Sequence, residues 1–356
     1  MLVSVIMPVY NVQMYLERAV NSVLKQDLQD FEIILCDNST DSECTELCKK
    51  LANNNEKIKV LFAEPKCGPG AARNKGLDYA QGKYVYFMDA DDYIESNTLS
   101  DNVAIAEKYD CDIVRFGFTS LIADNDGKIV SKKAILPAFD GLYTFDMLKE
   151  NFAQYLESTS YSVWSRLYKK DAIQKVRFEQ YTTAEDAIFN FDLLINGINN
   201  IYFNRKSYYY YIGRPSSIMG KYNPNRYKNE LKLLNHIEFV VCNWQNSNEL
   251  MDKINQMHVQ SFLMEYNNFT LPGCKLTISE AANIVKDIYN SVEMKAIIKS
   301  VPISKIPQPT AKICYILSKH KLFRTAVLFK RVYIPISYFV NRFRMRLWNL
   351  IENQTV

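Results

Sequence analysis

The stretch Val3-Ser4-Val5-Ile6-Met7-Pro8-Val9 is a short and nearly continuous apolar run, which predicts a strand buried within a parallel sheet. Residues 16–24 follow it with apolar side chains spaced i, i+3, i+4, i+7 and i+8, the pattern of one face of an amphipathic helix. The same alternation continues along the chain, with further strands predicted at 31–36, 57–63, 84–88 and 112–118. Alternating strands and helices predict an α/β domain with a mainly parallel sheet.

The composition is that of an ordinary folded protein. The sequence has 356 residues, of which 48% are hydrophobic and 23% charged, a length that suggests about two domains. Its 43 basic and 39 acidic residues leave a net charge of +4, too small a bias to indicate nucleic acid as a partner. The 8 cysteines form no CxxC pair, so we expect free thiols in a reducing compartment. We find neither a signal peptide nor a transmembrane run, and we therefore expect a cytoplasmic protein.

The pattern changes twice along the chain. Residues 1–118 alternate strand and helix, whereas residues 119–215 are mixed, with a hairpin signal at Asp126-Gly127. From about residue 225 the apolar spacing is helical. We therefore expect one domain at 1–215, in two parts, and a helical C-terminal region at 216–356.

Polar residues follow the predicted strands of the first domain. Tyr10 and Asn11 come after the first strand and Asp37 after the second, while Arg73 follows the loop after the third. Ligands of open parallel sheets bind beyond the carboxyl ends of the strands, so these side chains are expected to face one crevice. Tyr10 could stack on a base or simply close its strand. Asp37 could accept a hydrogen bond from a base or ribose, or could be a turn and cap residue.

The most informative triplet is Asp89-Ala90-Asp91, which follows the fourth strand. Residues i and i+2 at a strand end can project to the same side, and two carboxylates there repel each other unless a cation lies between them. Mg²⁺ or Mn²⁺ takes oxygen ligands and shares them with substrate phosphates, so Asp89 and Asp91 are candidate metal ligands. The alternative is an acidic turn that caps the next helix.

Four further candidates have functional interpretations. Glu185-Asp186 could supply a general base for an acceptor hydroxyl, or could be the first turn of a helix capped by Thr182 or Thr183. Arg73 could contact a diphosphate or pair with an acidic loop. Arg214 could clamp a phosphate. Trp164 could be a sugar platform, although a core position is favoured.

Together these motifs resemble the inverting family-2 glycosyltransferases of GT-A fold, with their Rossmann-like, mainly parallel nucleotide-binding sheet. The resemblance covers about the first 215 residues. It rests on five segments, 3–11, 37–41, 70–76, 89–92 and 185–186.

The resemblance implies a role for most of the candidates. It implies that Asp37 meets the base and Tyr10 flanks it, that Asp89 lies near ribose and metal, that Asp91 ligates the metal and that Asp186 is the catalytic base beside Glu185. The nucleotide-sugar site is then expected to comprise Pro8, Tyr10, Asn11, Asp37, Arg73, Asp89, Ala90 and Arg214. Residues 1–118 would bind the nucleotide sugar, and residues 119–215 would form the acceptor side.

The implied reaction is transfer of a single sugar from a nucleoside-diphosphate sugar, with UDP-sugar the first expectation, to a glycan or lipid-linked glycan. Segments around Trp164 and Arg214 resemble those of bacterial enzymes that build capsule or lipopolysaccharide. The Gln-x-x-Arg-Trp signature of processive synthases is absent from the sequence, which argues against polymerisation. A non-catalytic scaffold of the same fold and a sugar nucleotidyltransferase are the alternatives. The second would need a Gly-rich basic loop after the first strand, and Val9-Tyr10-Asn11-Val12 offers none.

The C-terminal tail is basic and amphipathic. Between residues 321 and 350 the sequence has seven Lys or Arg and no Asp or Glu, and apolar side chains from 336 to 351 share one helical face. Such a helix can lie on an anionic membrane, which would place residues 321–351 on the inner face of the cell membrane. It can equally pack on the body of the protein.

Overall fold

The computed structural model describes residues 1–124, 126–157, 161–179, 184–214, 220–242, 244 and 248–334. The chain divides into two units: the first contains the residues up to 215 together with 239–244, and the second contains the remainder. Within the described ranges, no helix is long and apolar enough to cross a membrane. Most of the basic tail, from residue 335 onward, lies outside the described residues, as do Thr182 and Thr183.

The first unit begins with the predicted alternation of strands and helices. The strands are β1 (Val3–Val9), β2 (Phe31–Asp37), β3 (Ile58–Phe62) and β4 (Tyr84–Phe87), and the helices between them are α1 (Gln13–Leu24), α2 (Ser42–Asn54) and α3 (Pro69–Tyr79). All four strands pair in parallel, in the order β3-β2-β1-β4. Every residue of β2 is buried, as expected of a strand covered on both faces. The predicted α/β fold with a parallel nucleotide-binding type of sheet is confirmed.

Antiparallel strands extend this sheet beyond β4. The later elements are β5 (Tyr93–Ile94), α4 (Thr98–Tyr109), β6 (Ile113–Ala123), β7 (Ile129–Ile135), β8 (Gly141–Thr144), α5 (Phe145–Glu150), α6 (Phe152–Glu157), β9 (Arg166–Lys169), α7 (Lys170–Ile173), α8 (Glu185–Ile195) and β10 (Asn200–Gly213). Strand β9 pairs antiparallel with both β4 and β6, so it joins the parallel half to the rest of the sheet. Strand β10 runs parallel to β6 and antiparallel to β5 and β8. This arrangement brings the end of β10 to the turn that follows β4.

Helix α3 lies unusually close to the sheet because of a glycine. A Cβ atom at Gly76 would lie 2.4 Å from Ile6 Cγ2 and 2.8 Å from Cys36 Sγ, both of which belong to the central strands. Only a residue without a side chain can occupy this position without moving its neighbours. The close approach fixes the height of Arg73, one turn earlier in α3, above the sheet.

The second unit is helical in its described part. It contains the part of α9 (Arg226–Cys242) that precedes residue 239, then α10 (Asn248–Asn268), α11 (Ile278–Asn290), α12 (Val292–Ser300) and α13 (Pro309–Lys319), followed by a helix that begins at residue 323. A capping box of Thr277 and Glu280 starts α11, and Pro309 occupies the first turn of α13. The buried side chains of Phe262, Tyr266 and Tyr315 belong to the core of this unit.

Candidate active site

The parallel strands deliver several candidate residues to one edge of the sheet. Val9 at the end of β1 lies in register with Asp37 at the end of β2, and Ile6 lies in register with Phe87 of β4. The residues that follow these strands therefore leave the sheet on the same side. This is the edge at which ligands of open parallel sheets bind.

Asn11 joins two of these loops. It has a left-handed backbone conformation with φ of 51°, and its Oδ1 accepts hydrogen bonds from the backbone N–H groups of Thr40 (3.0 Å) and Asp41 (3.2 Å). Its Nδ2 donates to Thr40 Oγ1 at 3.1 Å. Tyr10 beside it is 41% exposed and therefore free to meet a ligand. Pro8 lies within β1, opposite Cys36.

Asp37 is buried at the end of β2, and its own loop uses both of its oxygens. Oδ1 accepts from the backbone N–H of Ser39 at 2.9 Å, and Oδ2 accepts from Thr45 Oγ1 at 2.6 Å. The geometry is therefore that of the turn residue weighed as an alternative in the sequence. Contact with a base stays a prediction. Asp41, not Asp37, caps α2 by accepting from the N–H of Glu43.

Arg73 lies at the centre of three acids. Its Nη2 is 2.9 Å from Asp89 Oδ1, and its Nη1 is 2.6 Å from Asp186 Oδ1 and 3.2 Å from Glu185 Oε1. We call Arg73, Asp89, Glu185 and Asp186 the arginine hub. It joins the acid that follows β4 to the first turn of α8, although Arg73 and Asp186 are 113 positions apart in the chain. The structure shows the second of the two alternatives for Arg73, which is pairing with acids. Contact of Arg73 with a diphosphate stays a prediction.

The acids of the hub differ in their access to solvent. The Asp186 side chain is 22% exposed, whereas the Glu185 side chain is 11% exposed. Burial raises the pKa of Asp186 to about 7, with Glu185 and Asp89 acting in the same direction and the Arg73 guanidinium opposing them. Asp186 Oδ2 also accepts from the backbone N–H of Val163 at 3.3 Å. Asp186 is therefore a partly accessible carboxyl that is held by two contacts and has a raised pKa.

Asp91 is paired with the second predicted arginine. Its Oδ2 is 2.7 Å from Arg214 Nη1, and its backbone carbonyl accepts from Arg214 Nη2 at 3.0 Å. Burial and then the charge of Asp89 raise the pKa of Asp91, while Arg214 lowers it. The Asp91 pair thus belongs to the same electrostatic neighbourhood as the arginine hub.

Two contacts here were not foreseen from the sequence. Arg18 Nη2 also donates to the carbonyl of Asp91, at 2.5 Å, and the Arg214 guanidinium lies 3.8 Å from the centre of the Tyr15 ring. The only local signal is the i, i+3 spacing of Tyr15 and Arg18 in α1, which places them on one helix face.

The neighbouring Asp92 and Ala90 are buried. Asp92 accepts from the Tyr209 hydroxyl at 2.6 Å and from the backbone N–H of Ile212 at 2.9 Å, which ties the turn to β10. Burial raises its pKa well above the usual range. The Trp164 ring stacks on Tyr209 at 4.3 Å and is only 9% exposed, so it occupies the favoured core position.

The acids retain oxygens that could bind a cation. In the described chain, no group of three or more His, Cys, Asp or Glu side chains is arranged to hold a metal. Hydrogen bonds and ion pairs to described residues use Oδ1 of Asp89 and Oδ2 of Asp91, which leaves one oxygen on each. Two carboxylate oxygens completed by water and phosphate are the usual coordination of Mg²⁺. The residues present therefore fit such an ion.

A parallel sheet with acids after its fourth strand and an acidic helix start beside them defines a protein of the GT-A class. Residues 4–177 match the model of glycosyl transferase family 2, and this part of the chain belongs to that family. The fold is similar to that of Staphylococcus aureus TarS 1-349 in complex with UDP-GlcNAc, with a TM-score of 0.60 and 21% identity. That similarity covers 94% of this chain and 91% of the TarS chain.

Curated relatives match over the same region. An uncharacterized glycosyltransferase of Haemophilus influenzae is 28% identical over 242 residues, which are 59% of this chain and 94% of that protein. The glycosyltransferase GlyA of Streptococcus pneumoniae is 28% identical over 60% of this chain, but the match spans only 31% of GlyA. The GalNAc(5)-diNAcBac-PP-undecaprenol beta-1,3-glucosyltransferase of Campylobacter jejuni is 30% identical over 47% of this chain and 60% of that enzyme.

Proposed function

We propose that this protein transfers a single sugar from a nucleoside-diphosphate sugar to an acceptor hydroxyl, with inversion at the anomeric carbon. The observation that carries the proposal is the arginine hub. One guanidinium holds both Asp89, which follows β4, and Asp186, a partly exposed acid of α8. Asp89 lies at the edge formed by the carboxyl ends of the parallel strands, which we call the nucleotide edge. An inverting transfer needs a base close to the bound donor, and the hub keeps Asp186 close to an acid of the edge where the donor is proposed to bind.

Asp186 is the proposed general base. A carboxylate with a pKa of about 7 is substantially ionised at neutral pH and can still accept a proton from a hydroxyl within hydrogen-bond reach. Glu185 is held by the same arginine and contributes to the charge around Asp186. The acceptor oxygen attacks the anomeric carbon as Asp186 takes its proton, and the bond from that carbon to the diphosphate oxygen breaks, so that the nucleoside diphosphate leaves.

Asp91 and Asp89 would hold a divalent ion, Mg²⁺ or Mn²⁺. The fit rests on Oδ2 of Asp89 and Oδ1 of Asp91, which the contacts with Arg73 and Arg214 do not use. When bound, such an ion neutralises charge that develops on a diphosphate leaving group. Arg214 is also placed to neutralise phosphate charge, since its guanidinium lies against Asp91.

The nucleotide is proposed to lie along the edge formed by the ends of β1 and β2. Tyr10 is exposed there and can cover one face of a base, and Pro8, Asn11, Asp37 and Ala90 are the other proposed contacts of the nucleotide sugar. We propose a UDP-sugar as the donor. The support is the UDP-GlcNAc of the TarS complex, a protein with the same fold.

The acceptor is proposed to be a growing surface glycan, including a lipid-linked one, on the cytoplasmic side of the membrane. The Campylobacter jejuni relative is named for an undecaprenol-linked acceptor, which supports this class. Residues 321–351 would attract an anionic membrane through their basic side chains. This would bring the catalytic unit close to a lipid-linked substrate.

The decisive experiment is a screen of nucleotide-sugars for hydrolysis or transfer by the full chain, with Mn²⁺ or Mg²⁺ and with EDTA. We expect one donor to be consumed only when the metal is present, and activity to return when Mn²⁺ is added after EDTA. Consumption that is insensitive to chelation would remove the metal from the proposal. A chain that neither binds nor turns over any nucleotide-sugar would leave the non-catalytic scaffold as the better assignment.

A further inference from the structure

Two arginines converge on a single backbone oxygen at the nucleotide edge. The carbonyl of Asp91 accepts a hydrogen bond from Arg18 Nη2 at 2.5 Å and from Arg214 Nη2 at 3.0 Å. Arg214 is also ion-paired with the Asp91 carboxylate, whereas Arg18 contacts Asp91 through this carbonyl alone. The carbonyl therefore holds two guanidinium groups side by side, next to the proposed metal ligand.

Arg18 has no acidic partner in the described chain. Arg214 forms an ion pair with Asp91 at 2.7 Å, whereas no carboxylate of a described residue lies within ion-pair distance of Arg18. The N–H groups of Arg18 other than Nη2 have no hydrogen-bond acceptor among the described residues. These N–H groups of Arg18 lie beside a second guanidinium and can therefore donate hydrogen bonds to an anion that binds there.

Aromatic rings hold both guanidinium groups in place. The Tyr15 ring has Arg214 at 3.8 Å and Arg18 at 5.8 Å from its centre. Arg18 also lies 5.3 Å from the centre of Tyr93, which in turn stacks on Tyr210 at 4.5 Å. Contact with ring faces orients a guanidinium without using its N–H donors. The remaining N–H groups of Arg18 are thus held next to the Arg214 guanidinium, whose two Nη atoms contact Asp91.

We propose that Arg18 is a donor-binding residue which, together with Arg214, holds the diphosphate of the nucleotide sugar beside Asp91. The inference rests on the proposed function. It adds a residue of α1, a helix that contains none of the site residues predicted from the sequence. A fork of N–H donors that contacts phosphate oxygens binds more strongly than neutral donors do. Loss of the fork should therefore weaken binding of the diphosphate and leave binding of the nucleoside unchanged.

The test compares Arg18→Gln with the matched control Arg205→Gln, which removes the same charge from an exposed residue of β10. Calorimetry of the full chain gives the Kd for UDP and for inorganic diphosphate in excess Mn²⁺, and an NMR titration gives the Kd for uridine. Arg18→Gln should raise the Kd for UDP by about 10- to 100-fold, because hydrogen bonds to charged groups are lost. The Kd for inorganic diphosphate should rise by a similar factor. Uridine binding should stay within about twofold in both variants, and Arg205→Gln should match the wild type for all three ligands.

A Kd for UDP in Arg18→Gln within twofold of the wild type would overturn the inference, as would an equal loss for uridine. If Arg18→Gln fails to fold, Arg18→Met, which keeps the aliphatic length over Tyr93, is measured against the same criteria. A wild-type chain that binds neither UDP nor diphosphate would refute the proposed function itself. A wild-type chain that binds UDP, with no change in the Arg18 variants, would refute only the role of Arg18.

Discussion

At the scale of single residues, Arg73 sets the charge balance of the candidate active site. It is 3% exposed and is ion-paired with Asp89, Glu185 and Asp186. Removing a guanidinium from water is costly, and three carboxylates together compensate for that cost. The same contacts leave three acids dependent on one cation. The sequence alone gives the residue types but not this convergence, because the partners lie up to 113 positions apart.

Replacing Arg73 should therefore destabilise the first unit strongly. We expect Arg73→Ala to lower the free energy of unfolding by up to about 3–5 kcal/mol, since it leaves the buried Glu185 and the partly exposed Asp89 and Asp186 without their partner. Urea denaturation followed by circular dichroism measures the change. The control is Arg177→Ala, which breaks an exposed ion pair with Asp78 and should cost no more than about 1 kcal/mol. Equal effects of the two variants would contradict the structural role of the arginine hub.

The proposed base has a matching kinetic prediction. Asp186→Asn should lower turnover by about 10²–10⁴-fold while donor binding stays near normal, because an amide cannot accept the proton. Asp146→Asn, at a side chain that is 83% exposed, serves as the control and should behave as the wild type. Full activity of Asp186→Asn would refute the assignment.

The pH dependence follows from the same carboxyl. Asp186 must be ionised to act as a base, and burial raises its pKa to about 7. The ionised fraction therefore grows as the pH rises through 7, so kcat/KM of the wild type should increase across this range and fall away below it. A pH profile from 5.5 to 8.5 tests the direction. The rise should be missing from the residual activity of Asp186→Asn.

At the scale of elements, the parallel half of the sheet was predictable, as were strand β6 and the hairpin that follows it, whereas the pairing of the later strands was not. The local spacing of apolar residues predicts strands β1 to β4 and helices α1 to α3, and this prediction needs no knowledge of distant partners. The position of β9 between β4 and β6 depends on pairing with residues about 80 positions away, as in the register of Tyr84 with Lys169. The loop contacts of Asn11 with residues 39–41 are equally invisible in a local pattern.

The close packing of α3 on β1 gives a prediction at this scale. Gly76→Ala should lower the free energy of unfolding by about 1–3 kcal/mol, because a methyl group would overlap Ile6 and Cys36. Alanine is otherwise the better helix former by about 1 kcal/mol, so a loss is diagnostic of the tight contact. Asp78→Ala in the same helix should change stability by no more than about 1 kcal/mol. A Gly76→Ala protein as stable as the wild type would show that the contact can relax.

At the scale of the whole molecule, the chain combines a catalytic type of unit with a helical one. The family match ends at residue 177, within the first unit. The sequence identified the motifs of that unit because each is short and local. It offered no motif for the second unit, whose helices are held together by a core that any apolar pattern of the right spacing could supply.

The basic tail leads to a prediction about membrane binding. The full chain should float with vesicles that contain anionic lipid, and a chain that ends after Tyr333 should not, because it lacks three arginines and most of the apolar tail. Neutral vesicles and 0.5 M salt are the controls, since screening weakens attraction to an anionic surface. Flotation of the truncated chain at the same level as the full chain would remove the tail from the membrane contact.

The sharing of Arg73 among three acids also bears on how this sequence can diverge. A substitution at any one of the four positions changes the charge that the other three experience, so the effect of each change depends on which changes came before it. We therefore expect substitutions at these four positions to occur together among related sequences. A descendant that loses the arginine should lose or neutralise its acids as well, and whether all four persist together would separate working copies from decayed ones.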